Sequence, residues 1–123
     1  MKITTFNPMI LSRNAEAVIA LFEELGFEKR HAPTVDTGKS MVTSIRMANA
    51  DGFHIDIADV KSMPQDMTII RMNVDNFDEA REMLENHGFK PSPAGIVTDS
   101  SSKSIGMYSP SGFSFSLVQH IKD

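Results

Sequence analysis

Ser109-Pro110-Ser111-Gly112-Phe113-Ser114-Phe115-Ser116-Leu117-Val118-Gln119-His120 decides how the rest of the chain is read. The turn residues Ser109 to Gly112 open a strand in which Phe113, Phe115 and Leu117 face one way. Ser114, Ser116 and Val118 face the other, because successive strand side chains alternate. An earlier copy exists: Asp51-Gly52-Phe53-His54-Ile55-Asp56-Ile57, again with Gly-Phe at its head and apolar residues at every second place. Gly52 and Gly112 lie 60 residues apart in a chain of 123, so the copy falls at half-chain spacing. Two helical stripes end alike as well: Glu24-Leu25-Gly26-Phe27-Glu28 matches Asn86-His87-Gly88-Phe89-Lys90 at an offset of 62. Gly-Phe after each helix and at the head of each last strand predicts a duplicated unit.

Working outward, Phe6 to Leu11 reads as a strand, with Pro8 favouring an edge or a bend. Asn14 caps a helix whose apolar face is Ala17, Val18, Leu21, Phe22 and Leu25, and Gly26 ends it. A short strand from Phe27 to Ala32, a loop over 33–38, a strand alternating at Met41, Thr43, Ile45 and Met47, and the strand 53–59 complete the first half. After the linker Lys61-Ser62-Met63-Pro64-Gln65-Asp66 the order restarts. Met67 to Val74 is a strand, and Asn76 with Glu79 forms a capping box. Phe77, Ala80, Met83 and Leu84 give the helix stripe, closed by Gly88. A short strand opens at Phe89, a Pro/Gly/Ser-rich loop spans 91–102 with a strand at Ile96-Val97, and strands follow at 103–108 and 113–119. The expected class is α+β: β-α-β-β-β twice, in modules 1–60 and 67–123 joined by the linker 61–66.

Composition bounds the function. A net charge of −4 disfavours a nucleic-acid binder, which carries a basic face. The sequence has no cysteine, which excludes disulfides, thiolate metal sites and thiol nucleophiles. The start Met1-Lys2-Ile3-Thr4-Thr5-Phe6 lacks a signal-peptide core, and no apolar run nears the roughly 20 residues of a membrane span. A cytoplasmic location and no membrane partner are therefore expected. The seven glycines are dispersed at turns rather than gathered in a phosphate loop, and Ser100-Ser101-Ser102 has no neighbouring His or Asp pattern of a nucleophile. That serine run reads as a loop, a candidate lid.

The duplicated order, Val74-Asp75-Asn76-Phe77 at the entry to the second helix, and the closing Ser109-Pro110-Ser111-Gly112-Phe113-Ser114-Phe115-Ser116-Leu117 together resemble the vicinal oxygen chelate superfamily. Its members include glyoxalase I, bleomycin-resistance proteins and extradiol dioxygenases, and the resemblance covers nearly the whole chain. It implies a curved mixed sheet around a cavity, with the helices outside, and pairing into homodimers. Exposed edge strands favour pairing too. Metal-using members place a His, Glu or Gln on each of four strands. Those places fall here on Phe6 or Asn7, on Asp56, on Ile69 and on Ser116, where the family has Glu. One usable carboxylate among four does not hold a metal in the family manner, so no metal and no cofactor are expected. A shifted set of His54, Asp56 and His120 is the alternative.

Strand alternation puts His54 and Asp56 on the cavity side in the first half, and Arg71, Asn73, Ser114 and Ser116 in the second. Asn7 joins them, as do Met47 or Arg46 and Tyr108 or Met107, according to register. A mostly apolar pocket with a few polar groups suits a small molecule. The nine methionines serve either as adaptable walls or, more often, as core filling. Arg71 either binds an anionic ligand group bidentately or closes the interior by a salt bridge to Asp56. His54 reads as a half-buried, satisfied histidine rather than a base, while His31, His87 and His120 sit at element ends in solvent.

The function expected is a metal-free small-molecule-binding protein of the glyoxalase/bleomycin-resistance type that sequesters its ligand between the two halves. The ligand set is Asn7, His54, Asp56, Arg71, Asn73, Tyr108, Ser114 and Ser116. Asp56 suits a cationic ligand and Arg71 an anionic one. The alternatives are a divalent-metal lyase, isomerase or dioxygenase of the same superfamily, and a structural or regulatory module with a filled interior.

Overall fold

Both helices begin on an asparagine and end on a glycine in the computed structural model, which describes residues 1–31, 34–36, 41–98 and 101–120. Helix α1 (Ala15–Glu24) is capped by Asn14, whose side-chain oxygen accepts from Ala17 N. Helix α2 (Phe77–Asn86) is capped by Asn76, which accepts from Glu79 N at 3.1 Å and donates to the Glu79 carboxylate at 3.2 Å. This keeps the Asn76–Glu79 pairing of the capping box read from the sequence, with the Glu79 carboxylate answering the Asn76 side-chain amide in place of its backbone N–H. At the other ends, Phe27 N reaches Phe22 O and Gly26 N reaches Glu23 O; Phe89 N reaches Leu84 O and Gly88 N reaches Glu85 O. These are matching Schellman closures, with Gly26 at φ 101° and Gly88 at φ 89° where a side chain would be strained. The apolar contact that accompanies the motif is present too, as Phe22 and Phe27 meet edge to face at 5.4 Å.

The two glycines differ in surroundings, which yields a prediction. A Cβ at Gly26 would meet nothing, whereas one at Gly88 would fall 2.8 Å from Pro110 Cγ. Gly26→Ala is expected to cost about 1–2 kcal/mol from the left-handed backbone alone, and Gly88→Ala measurably more, in paired urea melts. Equal costs would refute the Pro110 contact.

The strands are β1 (Ile3–Ser12), β2 (Glu28–His31), β3 (Thr34–Asp36), β4 (Met41–Ala48), β5 (His54–Asp59), β6 (Met67–Val74), β7 (Lys90–Pro91), β8 (Val97–Thr98), β9 (Ser102–Tyr108) and β10 (Ser114–His120). Two units emerge: Asn7–Thr68, and Met1–Phe6 together with the chain from Ile69 onward. Each holds a βαβββ module of mixed strands with one short strand added off the main path, β3 in the first and β8 in the second. In the first unit β4 pairs antiparallel with β5, and β1 lies parallel to β5, Met9 opposite Asp56. In the second, β9 pairs antiparallel with β10, and β6 lies parallel to β10, Arg71 opposite Ser116. Arg46 opposes Asp56 as Gly106 opposes Ser116, so the duplication extends to strand register. The closing hairpins agree as well, with Gly52 N on Asn49 O and Gly112 N on Ser109 O.

Two differences from the sequence reading are informative. The loop expected at 33–38 contains β3, which pairs with Met41–Thr43; the rest of that loop lies outside the described residues. Three residues give too short a pattern to read, and their strand character comes from the partner. The first six residues, expected with the first module, join the second unit. Asp75 holds them: Lys2 N donates to Asp75 Oδ1 at 2.7 Å, Asp75 N donates to Lys2 O at 3.0 Å, and the terminal ammonium pairs with Glu79.

Each unit packs one helix on one sheet face. In the first, Ala15 and Ile19 of α1 meet Met47, Ile55 and Ile57, with Ile10, Val18, Phe22, Phe27 and Ile45 around them. In the second, Phe77 and Ala80 of α2 meet Met72, Val74, Ile105, Met107 and Leu117. Met47, Met72 and Met107 are thus core filling. The residues between them in sequence face away from the helices, and there the polar candidates gather.

The segment read as a linker is tied down at its end. Asp66 accepts from the Ser12 hydroxyl at 2.8 Å and from Arg13 N at 3.1 Å. The Arg13 backbone N–H first and then the Ser12 hydroxyl hold its carboxyl below the ordinary 3.8, against an opposing effect of desolvation and with a lesser contribution from the Arg13 charge. A depressed folded value means stability that is full above the unfolded value and is lost as pH falls through the folded one. The stability difference between wild type and Asp66→Asn is therefore expected at pH 6 and to shrink below pH 3.8. Urea melts across that range check it; a gap that is constant with pH would contradict it.

Candidate functional site

Alternation along β5 puts Asp56 on the face away from α1, and the fold buries it completely, at 0% exposure. A buried carboxylate needs donors. Asn7 of β1 supplies one, its Nδ2 donating to Asp56 Oδ2 at 2.6 Å. Arg46 of β4, directly opposite in register, supplies a second through Nε on Oδ1 at 3.4 Å. Of the two residues offered for this place, Asn7 is buried against the acid, while Phe6 is 59% exposed. Arg46, not Met47, is the residue on this face. His54 shares it, but at the strand end and exposed, so the half-buried histidine expected there is corrected.

In the second unit the face away from α2 carries Ile69, Arg71 and Asn73 of β6, Ser114, Ser116 and Val118 of β10, and Ser104, Gly106 and Tyr108 of β9. Arg71 Nε donates to Asn73 Oδ1 at 3.1 Å, which fixes the guanidinium along the strand. Ser116 stands beside Arg71, and Ser114 beside Tyr108. Asn73 and Ser114 are buried and Ser116 is half-buried. Tyr108, not Met107, is on this face and is half open to solvent. The Ser114 hydroxyl is buried without a hydrogen-bond partner. Of the ligand set read from sequence, Asn7, His54 and Asp56 thus share one face of the first unit. Arg71, Asn73, Tyr108, Ser114 and Ser116 share one face of the second.

The four places that the family resemblance assigns to metal ligands hold Asn7, Asp56, Ile69 and Ser116. Asn7 turns its amide nitrogen, a donor, to Asp56, and Ile69 has no lone pair. The Asp56 oxygens already accept from an amide and a guanidinium. This donor set does not fit a divalent cation. Among the described residues no three His, Asp or Glu side chains gather as a metal group. His120 instead sets Nδ1 3.0 Å from Ser101 O. His87 and His120 are exposed as expected; the His31 side chain lies outside the described residues. Arg46 is the residue that sequence reasoning left undecided. Its signal was a cation in an alternating strand, and only strand register could show which face it takes. No described helix is long and apolar enough to cross a membrane.

No protein-family model matches the sequence, and no curated protein matches it. Solved structures do. A methylmalonyl-CoA epimerase from Mycobacterium tuberculosis aligns over 95% of this chain and 88% of its own, with TM-score 0.70 and 13% identity. A hypothetical protein from Bacillus halodurans aligns over 100% and 98%, at TM-score 0.70 and 10% identity. A glyoxalase I mutant from Zea mays aligns over 97% of this chain and 44% of its own, at TM-score 0.66 and 13% identity. The chain therefore has the glyoxalase/bleomycin-resistance-like fold of the vicinal oxygen chelate proteins.

Proposed function

We propose that this chain uses that fold as a metal-free, small-molecule-binding protein, on the sheet faces turned away from its helices. The observation that carries the reading is the fate of the metal places. Where relatives with a metal need four lone-pair donors, this chain has an isoleucine, a serine and an asparagine whose amide donates to the fourth. Arg46 brings a positive charge to Asp56 on the face where a cation would sit. Sequestration of a partly apolar ligand needs a shaped face and no catalyst, and the mixture of Ile69, Val118 and polar side chains suits it. Asn7, His54, Asp56, Arg71, Asn73, Tyr108, Ser114 and Ser116 form the ligand set, joined by Arg46. A cytoplasmic homodimer completes the proposal, and a mass measurement giving only monomer at micromolar concentration counts against the pairing.

Metal analysis of untagged protein, with thermal-shift titrations of Ni, Zn, Mn and Fe(II), is the test. The expected result is no stoichiometric metal and no shift. A metabolite screen by thermal shift is then expected to give ligands whose effect falls in Arg71→Ala. Near-stoichiometric metal that is lost in the isosteric Asp56→Asn variant would overturn the reading and favour a metal-dependent lyase, isomerase or dioxygenase.

A further inference from the structure

Asp51 and Gly52 form the sole Asp-Gly step of the sequence, at the tip of the β4–β5 hairpin, where residues 50–54 are exposed. The Asp51 carboxylate has no bond or ion pair among the described residues, whereas Asp56, Asp59, Asp66 and Asp75 each hold a donor or a cation. The second unit repeats this turn with better anchoring. There Gly112 N is held twice, by Ser109 O at 3.2 Å and by Ser109 Oγ at 2.9 Å. Here Gly52 N is held by Asn49 O at 3.1 Å, while Asn49 Oδ1 takes Asp51 N and Phe53 N. Pro110 lies against Gly88, where a Cβ would fall 2.8 Å from its Cγ, and Phe113 meets the rings of Phe89 and Phe115. The first unit has Ala50 in place of the proline, and a Cβ at Gly26 would meet nothing. Its Phe53 is 65% exposed and in no ring pair among the described residues. A tip with few contacts opens at little free-energy cost, which releases the Gly52 N–H. Glycine adds no side chain to screen that nitrogen.

We infer that Asp51 is a site of covalent backbone modification, by isomerisation to isoaspartate. The Gly52 amide nitrogen bonds to Asp51 Cγ, and the carboxyl hydroxyl leaves with the amide proton as water, closing a five-membered succinimide. Water then opens the ring at one of its two carbonyls. Attack at the side-chain carbonyl restores aspartate. Attack at the backbone carbonyl leaves Gly52 joined through Cγ, with a free carboxylate on Cα. No oxidant or cofactor enters, and the mass is unchanged. The extra methylene falls between Asn49 and Phe53, whose N–H···O bond of 3.1 Å closes the hairpin, and just ahead of the Ala48–His54 pair that starts β5.

The folded full chain is aged at mildly acidic pH, well below its unfolding temperature, and sampled over weeks. Electron-transfer fragmentation of the peptide spanning residues 49–59 tells isoaspartate from aspartate, and methyl transfer by an isoaspartyl carboxyl methyltransferase counts it. Isoaspartate is expected at Asp51 about tenfold or more faster than at Asp78, an exposed aspartate held in α2, as a modest difference in barrier height gives. Asp51→Ser copies the second turn and should abolish the signal with a native amide spectrum. Asp51→Asn closes the same ring with loss of ammonia, so the step is then read as a mass change of the intact chain. Ala50→Pro, which installs the proline of the second turn at a position where turns favour it, should slow accumulation. Failure of the folded chain to form isoaspartate at Asp51, even where the urea-unfolded chain forms it, would overturn the inference. Equal rates at Asp51 and Asp78, or a rate untouched by Ala50→Pro, would overturn it as well, since the loosely held tip would then not be the cause.

Discussion

Asp56→Ala is expected to lower the unfolding free energy by about 3–5 kcal/mol, the range for removing one member of a buried ion pair. The carboxylate has 0% exposure and holds two groups from other strands, the Asn7 amide at 2.6 Å and the Arg46 guanidinium at 3.4 Å. Truncation takes an acceptor from both donors, leaving the buried Asn7 amide with Pro8 O alone and the partly exposed Arg46 guanidinium without this carboxylate, and those lost bonds are most of the cost. A double-mutant cycle separates the two. If the cost lies in stranded donors, Arg46→Met placed on Asp56→Ala restores part of the loss, because a flexible apolar side chain asks for no acceptor. Additive losses in urea melts of the four proteins would show that Arg46 and Asp56 do not act as a pair.

Phe77→Ala should be comparably severe, at about 3–5 kcal/mol for emptying a buried aromatic site. Phe77 is 1% exposed, packs among Met72, Val74, Ile105, Met107 and Leu117, and lies under the Lys103 ammonium at 4.8 Å. The duplicated fold supplies a comparison. At the equivalent place in the first unit stands Ala15, so alanine is compatible with the backbone, and the loss would come from the cavity alone. Neighbours there differ: Phe22 packs around the first cluster where the second has the smaller Leu84, so no larger residue stands at that place to replace the lost ring. Phe77→Leu should recover more than half of the loss in chemical denaturation. Near-neutral behaviour of Phe77→Ala would mean that the methionines collapse into the space.

The helices and their ends were legible because the information is local. Asn14 and Asn76 cap, Gly26 and Gly88 take the left-handed conformation, and each decision involves atoms within a few residues. The duplication was legible for the same reason, since Gly-Phe marks the same local geometry in each half. β3 was not, because its strand character is borrowed from Met41–Thr43. Nor was the docking of residues 1–6 on Asp75, a contact over more than seventy residues that no pattern announces.

The candidate site divides the same way. Strand alternation alone put Asp56 and His54 on one face, and Arg71, Asn73, Ser114 and Ser116 on another, because the side-chain period of two is a property of the backbone. Alternation cannot say which of Arg46 and Met47 turns toward that face, since a one-residue slip of register exchanges them. Nor can it show that Asn7 and Arg46 converge on Asp56, or that Ser114 is buried without a partner. The sequence by itself determined the α+β class, the repeat, the helix ends and the faces of the strands. Tertiary pairing decided which charges meet and which polar groups are left to be satisfied, because burial and hydrogen-bond partners are properties of residues far apart in the chain.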